Sequence, residues 1–369
     1  MRVIVVGGGI GGLSAAIALR GRGHEVVVLE RAPQVDAVGA GITLFANAMN
    51  ALRLLGVTDA VSASGSPARH SAILTSTGRQ LTALPADLLE GAIAVHRADL
   101  QAILFQAAGG VQLGAEVASV EQTADGVVAT VADGTEARGD LLVGADGLHS
   151  IVRGSIAAST PRYGGYTAWR GVSPVPIQAG RLTESWGVGE RFGLVDIGSR
   201  TYWYATANAP EGEPDDPAAR KADLIGRFSR WHSPIGSVLD ATPDSVILRN
   251  DVYFLEPLSR WSYGRIVLLG DAAHATTPGV GQGAAQALEA AVVLANEIAD
   301  GDDLPAGLVR YESIRRPRAA LALKLSRRVD AAGQLANQIG CRVRNALASR
   351  TPQRIQRRQL APLIHHQLP

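Results

Sequence analysis

The chain has 369 residues, 46% hydrophobic and 19% charged, with a net charge of +1; this specifies a globular fold of one or two domains and excludes a disordered or fibrous chain. The single cysteine, Cys341, excludes an intrachain disulfide framework, dithiol redox chemistry and a thiolate metal cluster. No apolar run reaches the about 18 residues of a membrane span, and the opening residues lack the pattern of a secretory signal, so a cytoplasmic location without a transmembrane segment is expected.

The first element is the strand within MRVIVVG, whose unbroken apolar run suits a parallel strand buried on both faces. It runs into GGGIGG, which places Gly7, Gly9 and Gly12 in G-x-G-x-x-G spacing with Gly11 beside them. Glycines in such a loop permit a tight turn, let a pyrophosphate approach the backbone and allow a helix to pack closely on a strand. A side chain at Gly12 is therefore expected to exclude the pyrophosphate. LSAAIALRGRG predicts a helix whose amino end points at the phosphates. HEVVVLE predicts a second strand ending at Glu30, 18 residues beyond Gly12, close to the about 20 expected of a carboxylate that accepts ribose hydroxyls. Strand, loop, helix, strand and acid together specify a dinucleotide site. They read only the ADP half, which NAD and FAD share.

Further on, DLQAILFQAA predicts a helix that Asp99 can cap, and DLLVGADGLHSIVR ends a strand at Asp146 and Gly147. Residues 71–94 and 161–257 alternate apolar and polar positions, as in YTAWRGVSPV, RFGLVDI and TYWYATA, which predicts an inserted antiparallel sheet. NAPEGEPDDPAARK reads as a polar loop that starts a helix near Pro217. Then GRIVLLGDAAHATTPGVGQGAAQALEAA repeats the pattern of strand, turn and glycine-led helix about 260 residues after the first.

A second loop of this kind suits FAD, which is longer than NAD and needs a distant element for its ribityl chain and ring. Asp271 at the end of IVLLG can accept sugar-chain hydroxyls, and a helix from about Gly283 would aim its amino end at the flavin. His274 is expected to be packed and hydrogen-bonded rather than a catalytic base. No second G-x-G-x-x-G follows a strand, and the eight histidines lack metal-binding spacing, so no metal is expected. The chain closes on a long helix, VRYESIRRPRAALALKLSRRVDAAGQLANQ, expected to break at Pro317, and on a further short helix. Residues 310–369 hold thirteen Arg or Lys against Glu312 and Asp330, a charge that can attract nucleic acid or an anionic membrane; without interleaved aromatics they read as a solvated basic face with no nucleic-acid partner.

The fold class is thus α/β: a Rossmann-like cofactor domain from residues 1–70, 95–160 and 258–300, a substrate domain from 71–94 and 161–257, and a helical segment from 301–369. GGGIGG with Glu30, DLLVGADGLHSIVR and GDAAHATTPGVGQGA, in this order, resemble the class A flavoprotein monooxygenases, the para-hydroxybenzoate hydroxylase family. The resemblance covers roughly residues 1–330 and includes GAGITL, HRADL and YGGYTAWRG. It implies bound FAD, NADPH or NADH as electron donor, O2 and a small aromatic substrate, in a monomer or homodimer. Reduced FAD would add oxygen at C4a and pass a hydroxyl to an electron-rich ring.

By the same resemblance, Gly39 to Leu44 passes the flavin, Arg97 reaches its phosphate or ribityl region, and Asp146 serves both FAD and the pyridine nucleotide. Arg31, Thr43 and Val117 would touch the cofactor, with Gly281, Gln282, Gly283 and Ala284 at the ring. Arg191 and Tyr202 match, in location and approximate spacing, substrate-contacting residues of the family's urate hydroxylases, and Pro278 would line the flavin's substrate side. Arg191 would pair with an anionic substrate. Gly279 departs from those enzymes, which carry an acidic residue there. A same-fold epoxidase or reductase acting on an isoprenoid, and a non-catalytic protein that shields an intermediate, are the competing functions.

Overall fold

The computed structural model describes residues 1–35, 40–299 and 303–368. Its organising element is a six-stranded sheet in the order Ser262–Tyr263, Ile266–Leu268, Leu141–Gly144, Arg2–Val6, Glu25–Glu30, Val111–Leu113. All neighbours run parallel except the first pair. The apolar run of the first strand is explained by burial on both faces: Val3, Ile4 and Val5 are wholly inaccessible, in register with Leu141, Leu142 and Val143 on one side and Val26, Val27 and Val28 on the other. The chain leaves Arg2–Val6 toward Glu25–Glu30 and returns on its opposite side as Leu141–Gly144. Strand order therefore reverses at the crevice between Arg2–Val6 and Leu141–Gly144, where open α/β sheets bind ligands.

Helices Ile10–Arg20 and Gly283–Glu297 pack together against this sheet. The second is buried on every side from Ala285 to Ala295, so its polar residues need partners. Glu289, fully buried, is paired with the equally buried Arg315 and with Arg318 at 2.8 Å, and it accepts a hydrogen bond from Asn47 at 2.6 Å. That cluster ties the helix to the long carboxyl-terminal helix Leu304–Gly333.

The inserted sheet has seven strands in the order Leu248–Phe254, Arg162–Ser173, Thr201–Asn208, Glu190–Asp196, Arg181–Trp186, His70–Thr75, Gln80–Ala83. Alternation sends successive side chains to opposite faces. Phe192, Leu194, Trp203 and Ala205 form an outer core with helices Arg220–Phe228 and Ile235–Ala241. The opposite, inner face carries Arg191, Val195, Tyr202, Tyr204 and Thr206, because Arg191 stands opposite Thr206 and Val195 opposite Tyr202. The sheet departs from a purely antiparallel arrangement at one pair, Arg181–Trp186 with His70–Thr75, which runs parallel. The strand Ile93–His96 belongs instead to a small sheet with Gly41–Leu44 and Ser66–Pro67.

Three helical expectations are corrected. Leu304–Gly333 is one helix straight through Pro317; Tyr311, Arg315, Ala319 and Ala322 bury its inner side on both sides of the proline, and that packing outweighs the roughly 3 kcal/mol an internal proline costs. The tail past this helix holds two helices rather than the one expected, while the insert helix, at Arg220, does start near Pro217. Asp99 lies within the first turn of Arg97–Ala108 rather than before it. Two helices, Gln338–Ala348 and Gln353–Ile364, follow the long one and reach the edge strand Gln80–Ala83, where Gln356 donates to Thr82. Covering an edge strand removes a site of unwanted pairing. Among the described residues, no helix is long and apolar enough to cross a membrane.

The contrast between buried and exposed ion pairs is testable. Glu289→Ala leaves Arg315 buried without its counter-charge and is expected to lower stability by about 3–5 kcal/mol in urea unfolding. Asp99→Ala, which loses a half-exposed pair with Arg200 at 3.7 Å, should change it by no more than about 1 kcal/mol.

Candidate cofactor and substrate site

Three turns meet at the crevice where strand order reverses: Gly7–Gly12, Ala145–Gly147 and Gly270–Asp271. Each leaves the carboxyl end of one of three adjacent parallel strands. Gly7 adopts φ 105°, and a Cβ there would lie 2.4 Å from the Ala145 carbonyl oxygen, so this glycine permits the close approach of two turns. A Cβ on Gly11 would press on Leu269 at 2.9 Å, so Gly11 lets the helix sit against the second loop. Gly12 corrects the expectation: its Cβ would fall 1.9 Å from the Gly7 carbonyl oxygen. Substitution there breaks the loop's own packing before any phosphate is involved. Gly9 alone of these faces open space, with nothing within 4 Å of where its Cβ would stand. It is the position where a ligand can come up against the backbone.

Two helices begin at this crevice, and neither has a side-chain cap: Ile10–Arg20 after Gly9 and Gly283–Glu297 after Gln282. Their first-turn N–H groups are left to a ligand or to solvent. Glu30 ends its strand beside the first loop, where its carboxylate accepts hydrogen bonds from the backbone N–H of Gly8 and, at 2.8 Å, of Ala32. These two bonds orient the group and leave acceptor capacity for sugar hydroxyls. Arg31 follows it, exposed. Val117 opens the strand Val117–Gln122 with its side chain in the core, so only its backbone is available to a cofactor. Asp146 accepts hydrogen bonds from Ser150 Oγ at 2.5 Å and Val152 N at 3.1 Å. It thus holds the start of helix Ile151–Ile156 while its backbone adjoins Gly7.

The second loop completes the crevice from the other side. Asp271 opens the short helix Asp271–His274 after Gly270 at φ 64°. Its side chain is accessible, yet it sits deep enough that desolvation raises its carboxyl above the ordinary range, opposed by the charge of Arg97. An accessible acid in desolvating surroundings marks a cleft rather than an outer surface. Arg97 is accessible as well and its N–H donates to Ala40 O at 2.8 Å. Thr43 lies in the strand that pairs with Ile93–His96, opposite Ala94. Gly281 turns at φ 64° and is exposed, Gln282 is buried and accepts from Asn47 at 2.9 Å, and Gly283 and Ala284 stand partly accessible in the first turn of their helix. Gly39 lies outside the described residues. An open glycine cradle, two uncapped helix ends and two acids placed for sugar hydroxyls fit an extended dinucleotide.

Above the crevice lies the inner face of the inserted sheet. A Cβ on Gly41 would meet the Tyr202 ring at 2.4 Å, so the ring rests on that glycine, buried. Burial raises the Tyr202 hydroxyl, against the nearby charges of Arg170 and Arg97. Pro278 is exposed at the start of its single turn.

Arg191 is arranged otherwise than expected. It is 2% exposed and gives its donors to the protein: Gln334 Oε1 at 2.9 Å, Asp330 Oδ1 at 2.9 Å, Thr206 Oγ1 at 3.3 Å and Glu184 Oε1 at 3.4 Å. Burial works against its charge, but Glu184 and Asp330 outweigh that and raise its pKa. With two carboxylates on one guanidinium, Arg191 has no free charge for an anionic substrate. Any influence on substrate passes through its partners.

Asp330, which the sequence did not single out, fills the space beside Gly279: a Cβ on that glycine would lie 2.7 Å from Asp330 Oδ1 and 2.5 Å from Ser326 O. A carboxylate therefore does stand at this loop, supplied by the long helix. Tyr166 and Thr277 crowd the same carboxylate, and Tyr166 Oη, Thr277 Oγ1 and Asp330 Oδ2 are all buried without a hydrogen-bond partner. Nothing in the spacing of residues 191, 279 and 330 announces this meeting, which depends on how a helix far along the chain folds back. His274 is packed as expected, its ring 5.0 Å from that of Trp261, but Nε2 has no partner. It borders an apolar cavity of about 370 Å³ with Trp261, Leu258 and Leu323, which none of the expected cofactor residues lines.

Comparison with known proteins agrees with this geometry. The family model described as FAD binding domain matches residues 1–326. The chain is 46% identical over 358 residues to the aurachin C monooxygenase/isomerase of Stigmatella aurantiaca, covering 94% of this chain and 93% of that one. It is 36% identical over 346 residues to the FAD-dependent urate hydroxylase of Klebsiella pneumoniae, covering 89% and 90%. The crystal structure of Klebsiella pneumoniae HpxO with FAD and uric acid superposes with a TM-score of 0.93 at 31% identity, covering 99% of this chain and 97% of that one.

The two glycines predict different failures. Gly9→Val should leave the melting temperature of the cofactor-free protein nearly unchanged and raise the Kd for FAD at least about tenfold, whereas Gly12→Val should yield little folded protein. His274 is a second test. Burial first, and then Arg315, hold its pKa down to about 3 from the ordinary 6.5. Between those values the unfolded chain takes up a proton that the folded protein refuses, so this contribution is complete above pH 6.5 and is lost as pH falls. Thermal unfolding from pH 7 to pH 5 should therefore be steeper in the wild type than in His274→Gln, by on the order of 1–2 kcal/mol.

Proposed function

We propose that the chain, which belongs to the FAD-binding family of FAD-dependent aromatic monooxygenases, takes electrons from NADH or NADPH and places one atom of O2 on a small aromatic or polycyclic ring. The observation that carries this is the position of Arg97. Its backbone N–H bonds Ala40 O at 2.8 Å, next to the Gly41 on which the Tyr202 ring of the inserted sheet rests, and its charge opposes the raised carboxyl of Asp271. This supports a cofactor cradle and a ring-binding face in one cleft.

Within it, Glu30 and the uncapped end of Ile10–Arg20 serve the ADP half, and Asp271 accepts hydrogen bonds from the ribityl hydroxyls. The free N–H groups at Gly283 would favour negative charge on a reduced flavin held at this helix end. FAD, once bound and reduced, supplies oxygen activation at its C4a position. The inserted sheet roofs this centre and keeps water from it, with Tyr202 offering an aromatic face and Pro278 a rigid edge. The absence of a second G-x-G-x-x-G in the sequence supports a nicotinamide that visits a surface groove and leaves, without a domain of its own.

The test is purification and turnover. The protein should emerge yellow, and NADH or NADPH consumption should rise when phenolic or heteroaromatic compounds are added, with stoichiometric hydroxylated product. Asp271→Ala should fold, by circular dichroism, but carry less than about a tenth of the FAD. A colourless protein with no affinity for FAD would overturn the proposal, as would product formation without oxygen uptake, which is the outcome expected of a reductase.

A further inference from the structure

The excess of basic residues near the carboxyl end has no part in the cofactor site. Residues 310–369 carry thirteen Arg or Lys against Glu312 and Asp330, and the fold withdraws both acids from solvent. Glu312 is buried and accepts from Ser262 N at 2.7 Å, and Asp330 is buried against Arg191. The outward surface of the tail is left with cations. Among the described residues, Arg342, Arg350, Arg354 and Arg358 are exposed and make no ion pair, whereas Arg357 is engaged by Asp87 at 2.9 Å.

The structure adds what the sequence did not suggest. The helix Gln338–Ala348 turns Cys341 and Arg344 inward, with Arg344 over the Trp186 ring at 5.1 Å. Its outward side presents Ile339, Val343 and Leu347, which are 71%, 54% and 65% exposed. Spaced four residues apart, they form one apolar stripe along the helix. Scattered exposed apolar residues are ordinary, but an aligned set flanked by cations is the pattern of a helix that lies in a lipid interface.

We propose that the helix Gln338–Ala348 and the turn after it dock the protein on an anionic lipid bilayer, with Ile339, Val343 and Leu347 entering the acyl boundary and Arg342 and Arg350 meeting the headgroup phosphates. Charge decides the occupant. A second copy of the same helix would bring like charges together, since residues 338–350 contain no acid, while an anionic bilayer offers both the hydrocarbon and the negative potential.

The experiment is co-sedimentation of the FAD-loaded protein with vesicles of phosphatidylcholine alone or mixed in equal parts with phosphatidylglycerol. Binding is expected to the mixed vesicles, at least about tenfold weaker to phosphatidylcholine, and to decline with added salt. The exposed triple variant Ile339→Ser, Val343→Ser, Leu347→Ser should lose binding at least about tenfold while keeping its FAD content and melting temperature. Arg342→Gln with Arg350→Gln should weaken binding to the mixed vesicles selectively. Equal sedimentation with both vesicle types, absence of binding to either, or retained binding by the serine variant would overturn the proposal. So would a concentration-dependent dimer of the wild type that the serine variant abolishes, because the stripe would then be a contact between copies.

Discussion

Two helices start without side-chain caps at the same end of one sheet, and their first N–H groups are open to a ligand. An uncapped helix end leaves its first N–H groups to water or to a ligand. Here Gly9 and Gln282 occupy the cap positions and make no side-chain bond. The two ends belong to segments about 270 residues apart in the sequence, yet Gly11 brings their helices into contact beside Leu269 and Ala287. Everything else in the cofactor half follows from this pair: the glycines that let the helices sit so low, the acids Glu30 and Asp271 set on either side, and the buried Glu289 cluster that fixes the second helix from behind.

The parts of this arrangement that obey local rules were legible in the sequence. A strand buried on both faces must be apolar throughout, as RVIVV is. A tight strand-to-helix turn calls for glycines, as GGGIGG supplies them, and an inserted half-buried sheet must alternate. What local rules leave open was misjudged or missed. Pro317 lacks an N–H and looks like a break, but helix continuity is decided by the buried side chains around it. Gly12 matches a fingerprint whose usual rationale is phosphate, while its actual neighbour is Gly7 O. Arg191 sits on the expected face, and its neutralisation by Glu184 and Asp330 depends on partners 7 and 139 residues away.

That buried network gives the substrate half its own logic. Arg191 links the inserted sheet to the long helix, and Asp330 at the same time packs on the loop that carries Pro278. Three pieces distant in sequence are therefore held together by one guanidinium and its carboxylates. Buried ion pairs contribute little net stability compared with apolar packing, but they are intolerant of misplacement. The stem of Arg191 lies across Gly333, where any Cβ would come within 2.5 Å of its Cδ. The geometry thus favours one relative placement of sheet, loop and helix, which is what a site that must seat a ring against a cofactor requires.

The cofactor crevice draws on residues from Gly7 to Ala284, with the whole inserted sheet synthesised in between. During translation the first loop emerges early, but its counterpart is among the later segments to leave the ribosome. A nascent chain can therefore hold at most the adenine end of its cofactor until three quarters of the polypeptide has been made. Full loading can come only late in synthesis or after it, once both loops have left the ribosome and the sheet between them has closed.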